Sequence, residues 1–200
     1  MPCPGDSVSP LRLADERPVV HYEILEWPPE GSKLRLDHER FSYAGKFVMT
    51  NTGKAVARVD GEVVAAVAFN EDRTDASTLW LRYVTVARER RGEGIGPRLL
   101  ALVRDRATER GYERLKIAVN NPYAYEALHQ VGFTYTGETT GLAELILEYD
   151  GDRSSVDDHR YRAGLEEFAE RDLSEDETRF LEEKLERGPP KPDEADSEGV

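Results

Sequence analysis

The sequence predicts a mixed α/β (α+β) domain with a central, mostly antiparallel twisted sheet flanked by helices. Three observations lead there. Residues 55–70, AVARVDGEVVAAVAFN, are two β-rich runs joined at Asp60-Gly61, the strongest short-range hairpin signal. Residues 78–119 run as strand, glycine loop, helix and strand. Finally, Phe133–Tyr135 and Ala143–Tyr149 make a closing pair of strands around the turn TGETTG.

Taken in order, residues 1–17 are rich in Pro, Ser, Asp and Gly and predict a loose arm before a domain over 18–150. VVHYEIL (19–25) predicts the first strand. Residues 26–54 hold a turn at WPPEGS and short helical possibilities around Leu34–Tyr43. After the hairpin and the polar turn EDRTDAS, TLWLRYVTVA (78–87) is a strand. Pro97 suits a first helical turn, where its missing N–H costs nothing. Leu99, Leu100, Val103 and Ala107 then repeat as one apolar stripe, and Gly111 stands where a C-terminal cap belongs. YERLKIAV (112–119) is the next strand; Asn-Pro starts another helix, which Val131-Gly132-Phe133 ends. Beyond Tyr149 the composition changes. Residues 161–173 and 175–187 predict two helices of a C-terminal extension (151–188), the second with a capping box from Ser174 and Glu177. Gly188-Pro189-Pro190 stops it, and 189–200 read as a disordered acidic tail.

Composition narrows the function. Hydrophobic content of 38 % with nine Tyr, six Phe and two Trp suffices for a core. No apolar run approaches the roughly 20 residues of a membrane span, and the first thirty residues lack the basic start and apolar centre of a signal peptide. Cys3 is the single cysteine, so a disulfide framework and a cysteine metal site are excluded. His21, His38, His129 and His159 show no ligand spacing. The expectation is a cytoplasmic protein without a metal. Asp and Glu number 40 against 27 Lys and Arg, of which only six are lysine. Such an acidic, lysine-poor surface stays hydrated through mutual repulsion, and it is similar to that of salt-accumulating, halophilic organisms. Against this background residues 82–116 carry ten basic and five acidic side chains. A net-positive window in so acidic a chain points to a small polyanion rather than to nucleic acid, whose long backbone the rest of the surface would repel.

The window centres on RGEGIGPRLL (91–100), with three glycines in five positions opening onto a helix. Successive backbone N–H groups of such a loop, continued by the unsatisfied N–H groups of a helix start, form a concave donor array for phosphate. A structural turn explains the glycines equally well. Neither G-x-x-x-x-G-K-[ST] nor G-x-G-x-x-G is present, which removes the P-loop and the dinucleotide fingerprint. What fits is Arg91-x-x-Gly94-x-Gly96 after a strand and before a helix, followed by a strand and then N-P-x-A with a later G-F. In this order and separation, over about residues 55–149, the sequence resembles the GNAT superfamily of N-acetyltransferases.

The resemblance implies acetyl-CoA as co-substrate, a primary amine on a small molecule, peptide or protein as acceptor, and an acyl-CoA N-acyltransferase fold. Its strands on either side of the loop helix pair in parallel and then splay. It implies that Gly92, Gly94 and Gly96, with Pro97 opening the helix, present backbone to the pyrophosphate while Arg91 adds charge. Val84 and Val86 match positions whose main chain pairs with the pantetheine arm, and Asn121 matches an asparagine contacting that arm; core packing and helix capping are their ordinary alternatives. The match breaks at the chemistry. The family's acid, a tyrosine four residues before Gly132, is here Leu128. Tyr125, one helical turn earlier, is the candidate substitute, with a structural aromatic as the competing reading. The family's carboxylate base is absent from TLWLRYVTV, leaving Glu23, Glu26 or a water chain. A catalytically silent acyl-CoA-binding domain, and a partner-binding or homodimeric role for the C-terminal helices, are the alternatives.

Overall fold

The computed structural model describes residues 18–29, 31–151 and 157–191. The predicted arm (1–17), Cys3 and residues 192–200 of the predicted tail lie outside the described residues. Among the described residues seven strands form one sheet. They are β1 (Val20–Glu26), β2 (Gly53–Val59), β3 (Glu62–Glu71), β4 (Thr78–Val86), β5 (Arg114–Val119), β6 (Thr134–Thr139) and β7 (Leu145–Tyr149), in the order β1-β2-β3-β4-β5-β7-β6. Every neighbouring pair is antiparallel except β4 and β5. Asp60 and Gly61 both take positive φ, 50° and 83°, the pairing that a two-residue turn matched to strand twist requires.

Helix α1 (Ile95–Glu109) connects β4 to β5 and buries Leu99, Leu100, Val103 and Ala107 against Ala55, Ala57, Val67, Phe69, Leu79 and Leu81. It starts two residues before Pro97. Residues 31–48 cover part of the other sheet face, where Phe47, Leu34 and Leu36 pack with Val56, Ala66, Ala68 and Tyr83. The expected helix around Leu34–Tyr43 is absent; the helical part is one 3₁₀ turn at Ala44–Val48. Leu34 and Leu36, two apart, meet the same surface only from an extended chain, so tertiary burial overrides local helix propensity. Strand β6 runs past the predicted Tyr135 to Thr139, through an irregularity around Gly137.

Helix α2 (Pro122–Gln130) is covered by α3 (Asp158–Ala169) and α4 (Glu175–Arg187). Asp157 caps α3, accepting from His159 N at 3.0 Å, which starts the helix three residues before the predicted Tyr161. Ser174 and Glu177 form both bonds of the predicted capping box. Tyr161, Leu165, Phe168 and Leu181 belong to the same apolar cluster as the sheet and α1. A polar clasp reinforces the contact: the Tyr161 hydroxyl donates to Glu126 Oε2 at 2.6 Å, and Arg187 pairs with the other oxygen of that buried carboxylate.

His129 sits inside this contact, fully buried, with its ring 4.5 Å from Tyr125 and 4.9 Å from Tyr161 between centroids. Among the described residues neither ring nitrogen finds a hydrogen-bond partner. Burial therefore pushes its pKa down to about 3. The unfolded chain, with histidine near 6.5, binds a proton that the folded chain refuses, so stability is lost as pH falls from 6.5 toward 3. Unfolding free energy should drop by about 1.4 kcal/mol per pH unit in that window. Urea titrations between pH 6.5 and 5, above the range of ordinary carboxylates, isolate the effect. His129→Leu should flatten the slope; an unchanged slope in that variant would place the proton uptake elsewhere.

Candidate functional site

The site forms where the sheet opens. β4 and β5 pair only over Thr78–Leu81 and Arg114–Ile117. A bulge in β4 places Arg82 as an extra residue between Leu81 and Tyr83 opposite β3, which turns the strand away. The β5-facing backbone edge of β4 beyond Leu81 therefore lies outside the ladder, at the mouth of a V. The side chains of Val84 and Val86 pack on the main core, so what this edge offers is main chain.

Directly after β4 comes the glycine loop. Gly92 and Gly94 have φ of 83° and 74°, and a Cβ on either would meet nothing within 4 Å. Gly94 is the N-cap of α1, and among the described residues no side chain caps that turn. Gly96 is buried in the first turn, where a Cβ would come 3.3 Å from Val86 Cγ2; glycine here sets how closely the helix approaches the splayed strand. Pro97 follows within the same turn. The result is an open concavity lined by helix N–H groups and the positive end of the α1 dipole. Arg91 stands at its edge, donating from Nε to Val86 O at 3.4 Å and from Nη2 to Ser42 Oγ at 3.1 Å. Both partners are uncharged, so its charge is not neutralised by them. Arg90 by contrast is paired with Glu93 at 3.2 Å, and Arg40 with Glu89 at 2.7 Å.

Across the V, Asn121 caps α2, accepting from Ala124 N at 2.9 Å, while its Nδ2 donates to Asn120 Oδ1 at 3.2 Å. Val84, Val86, the loop and Asn121 are thus brought around one opening. Tyr125 is not. Its side chain is completely buried, and its hydroxyl donates to the carbonyls of Tyr161 at 3.1 Å and Arg160 at 3.3 Å on α3. Burial raises its pKa strongly. A phenol whose proton is committed to helix carbonyls under α3 cannot deliver it to a cleft, so the expectation of Tyr125 as acid is corrected: it is a core aromatic. Leu128 is buried as well. Glu23 is ion-paired with Arg58 at 2.7 Å on β1, and Glu26 is opposite Lys54. β1 is three strands from β4, roughly 14 Å at the usual spacing, so neither carboxylate touches the opening.

Sequence reasoning missed Ser42, Tyr43, Tyr83 and Asn120. Tyr43 is half-exposed, with its ring 5.9 Å from that of Tyr83, and it contacts the Asn120 side chain. The segment holding it has no periodicity, and its one signal, a left-handed φ of 59° on a tyrosine, is visible only in the structure.

Among the described residues no cluster of three or more His, Cys, Asp or Glu could hold a metal ion, and no helix is long and apolar enough to cross a membrane. The family model for the acetyltransferase (GNAT) family matches residues 18–133. No curated protein matches the chain by sequence. An IAA acetyltransferase from Bacillus cereus ATCC 14579 shares the fold, with a TM-score of 0.51 at 18 % identity, over 65 % of this chain and 97 % of that one. An acetyltransferase from Bacillus subtilis, solved in complex with CoA, does so with a TM-score of 0.51 at 14 % identity, over 66 % and 99 %. With its family model matched across more than half its length, the chain belongs to the GNAT acetyltransferase family.

Proposed function

We propose that the protein is an acetyl-CoA-dependent N-acetyltransferase acting on a primary amine. The observation that carries this is the placement of an uncapped, glycine-opened helix start and Arg91 beside the freed backbone edge of β4. Acetyl-CoA supplies the activated acyl thioester. The protein's part is then to hold it: the N–H groups of residues 92–96 and the Arg91 guanidinium face the pyrophosphate, and the edge of Val84–Val86 pairs with the amide-bearing arm. A backbone N–H near Val84 donates to the thioester oxygen as charge develops there. Asn121 steadies the arm from the other wall. Thiolate is a tolerable leaving group, so holding the amine against the carbonyl supplies much of the rate.

A second reading, a silent acyl-CoA-binding domain, is favoured by one observation: the two α2 positions expected to supply the acid, Leu128 and Tyr125, are both buried, and the ring of the exposed Tyr123 packs 4.6 Å from Phe180 on α4. One experiment separates the two. Acetyl-CoA is incubated with the protein and a panel of primary amines and basic peptides, and free thiol is read alongside calorimetric binding of CoA. Amine-dependent thiol release establishes the transferase; binding without release selects the silent domain; absence of both rejects the site.

A further inference from the structure

Residues 40–43 lie across the mouth of the V, tied on both sides. Arg88 N donates to Arg40 O at 3.0 Å and the Arg40 side chain pairs with Glu89, while Ser42 accepts from Arg91. On the other side Tyr43 meets Asn120 at the end of β5. Tyr43 holds a left-handed backbone (φ 59°, ψ 18°), an uncommon state for a bulky residue, and persists there because its neighbours on both sides determine it. Its ring is aimed past Tyr83, on the strand beyond the bulge, toward Asn120. Tyr43 is half-exposed, and the bonding of its hydroxyl is unequal. Asn120 Nδ2 donates to Tyr43 Oη at 3.2 Å, whereas the return contact to Asn120 Oδ1 is 3.4 Å, long for an O–H···O bond. Asn120 Oδ1 is already engaged by Asn121 Nδ2, which fixes the orientation of the amide. Because the phenolic oxygen accepts from Asn120 Nδ2, its O–H remains available to donate to a group in the mouth of the V.

We infer that Tyr43, not a residue of α2, is the general acid of this enzyme, with Asn120 as its positioning partner; this rests on the transferase reading above. In the step, the amine nitrogen forms a bond to the thioester carbonyl carbon and the C–S bond breaks with its electron pair on sulfur. The Tyr43 hydroxyl proton passes to that sulfur. The proton shed by the acylated nitrogen returns to the Tyr43 phenolate through water, so that charge and protons balance over the turnover. The segment across the mouth thereby also supplies the acid.

The test reads binding as well as turnover. Tyr43→Phe keeps the half-exposed ring and the backbone, and its melting temperature should match the parent. CoA affinity is measured calorimetrically at pH 6.5, where its thiol is neutral, and at pH 9, where a thiol of pKa near 8.5 is largely thiolate. A hydroxyl donating to sulfur matters mainly to the anion, so the variant should lose about tenfold or more in affinity at pH 9 and less than about twofold at pH 6.5. With an accepting amine, kcat should fall about 100-fold or more at unchanged KM for acetyl-CoA. Equal affinities at both pH values, or an equal loss at both, overturn the assignment of Tyr43 while leaving the transferase reading intact. Failure of the parent itself to bind CoA at either pH overturns that reading, and the inference falls with it.

Discussion

A chain ending at Gly151 should fail to fold cooperatively. Helices α3 and α4 place Tyr161, Leu165 and Phe168, each fully buried, and Leu181 in the same cluster as the sheet. Each buried apolar side chain contributes about 1.5–3 kcal/mol, so the four together contribute about 6–12 kcal/mol. Whole domains are stable by only about 5–15 kcal/mol. Truncation also leaves the Glu126 carboxylate without Tyr161 and Arg187, and exposes the apolar side of α2 that carries Tyr125 and His129. Circular dichroism during urea titration should show a broad, low-midpoint transition in place of the parent's cooperative one. A truncated chain that melts like the parent would show the two helices to be an appendage. A point substitution asks the same question more finely. A Cβ at Gly164 would lie 2.1 Å from the Tyr125 hydroxyl oxygen and 2.5 Å from Cζ, so Gly164→Ala cannot fit without parting α3 from α2. Overpacking of this kind costs about 1–3 kcal/mol, a shift of several degrees in Tm.

The strands and the glycine loop were legible because their signals are local. Asp60-Gly61 needs two positive φ values, and both residues adopt them. The stripe of Leu99, Leu100, Val103 and Ala107 has one period and faces one core. Ser174 with Glu177 is a contact between residues three apart. The chemistry was not legible, because it depends on residues far apart in sequence. Tyr125 shares a helix with Leu128, and sequence places it one turn from the family's position; only the arrival of α3, more than thirty residues later, shows that its hydroxyl is spent on Tyr161 O. Tyr43 and Asn120 are separated by 77 positions, and residues 31–43 have no repeat to predict that they would lie flat over the sheet. A bulge at Arg82 was equally invisible, since TLWLRYVTV alternates well enough to read as an uninterrupted strand. Yet that bulge is what opens the sheet and turns a common strand–helix–strand unit into a cleft.

Gly94→Trp should abolish measurable CoA binding while leaving the fold intact. The position is open, with nothing within 4 Å of the point where a side chain's first carbon would lie, so the indole would not clash with the protein. It would fill the open space at the start of α1 where the proposed site holds the pyrophosphate. Hydrogen bonds to a charged group are worth about 1.5–3 kcal/mol each, so displacing two of them costs about 3–6 kcal/mol, a loss of roughly 100- to 10,000-fold in affinity. A second effect must be separated from this one. Gly94 sits at φ 74°, where any L side chain is strained by about 1–2 kcal/mol, and that strain lowers stability whatever the side chain's size. Gly94→Ala carries the same strain with almost no bulk. Its Tm should therefore fall about as far as that of the tryptophan variant, while its CoA affinity stays within about tenfold of the parent, the equivalent of a single weakened bond. If the two variants lose affinity equally, backbone geometry rather than occupancy of the cradle governs binding. If Gly94→Trp binds CoA as the parent does, the pyrophosphate does not lie on this loop, and the positive charge gathered around residues 82–116 serves some other anion.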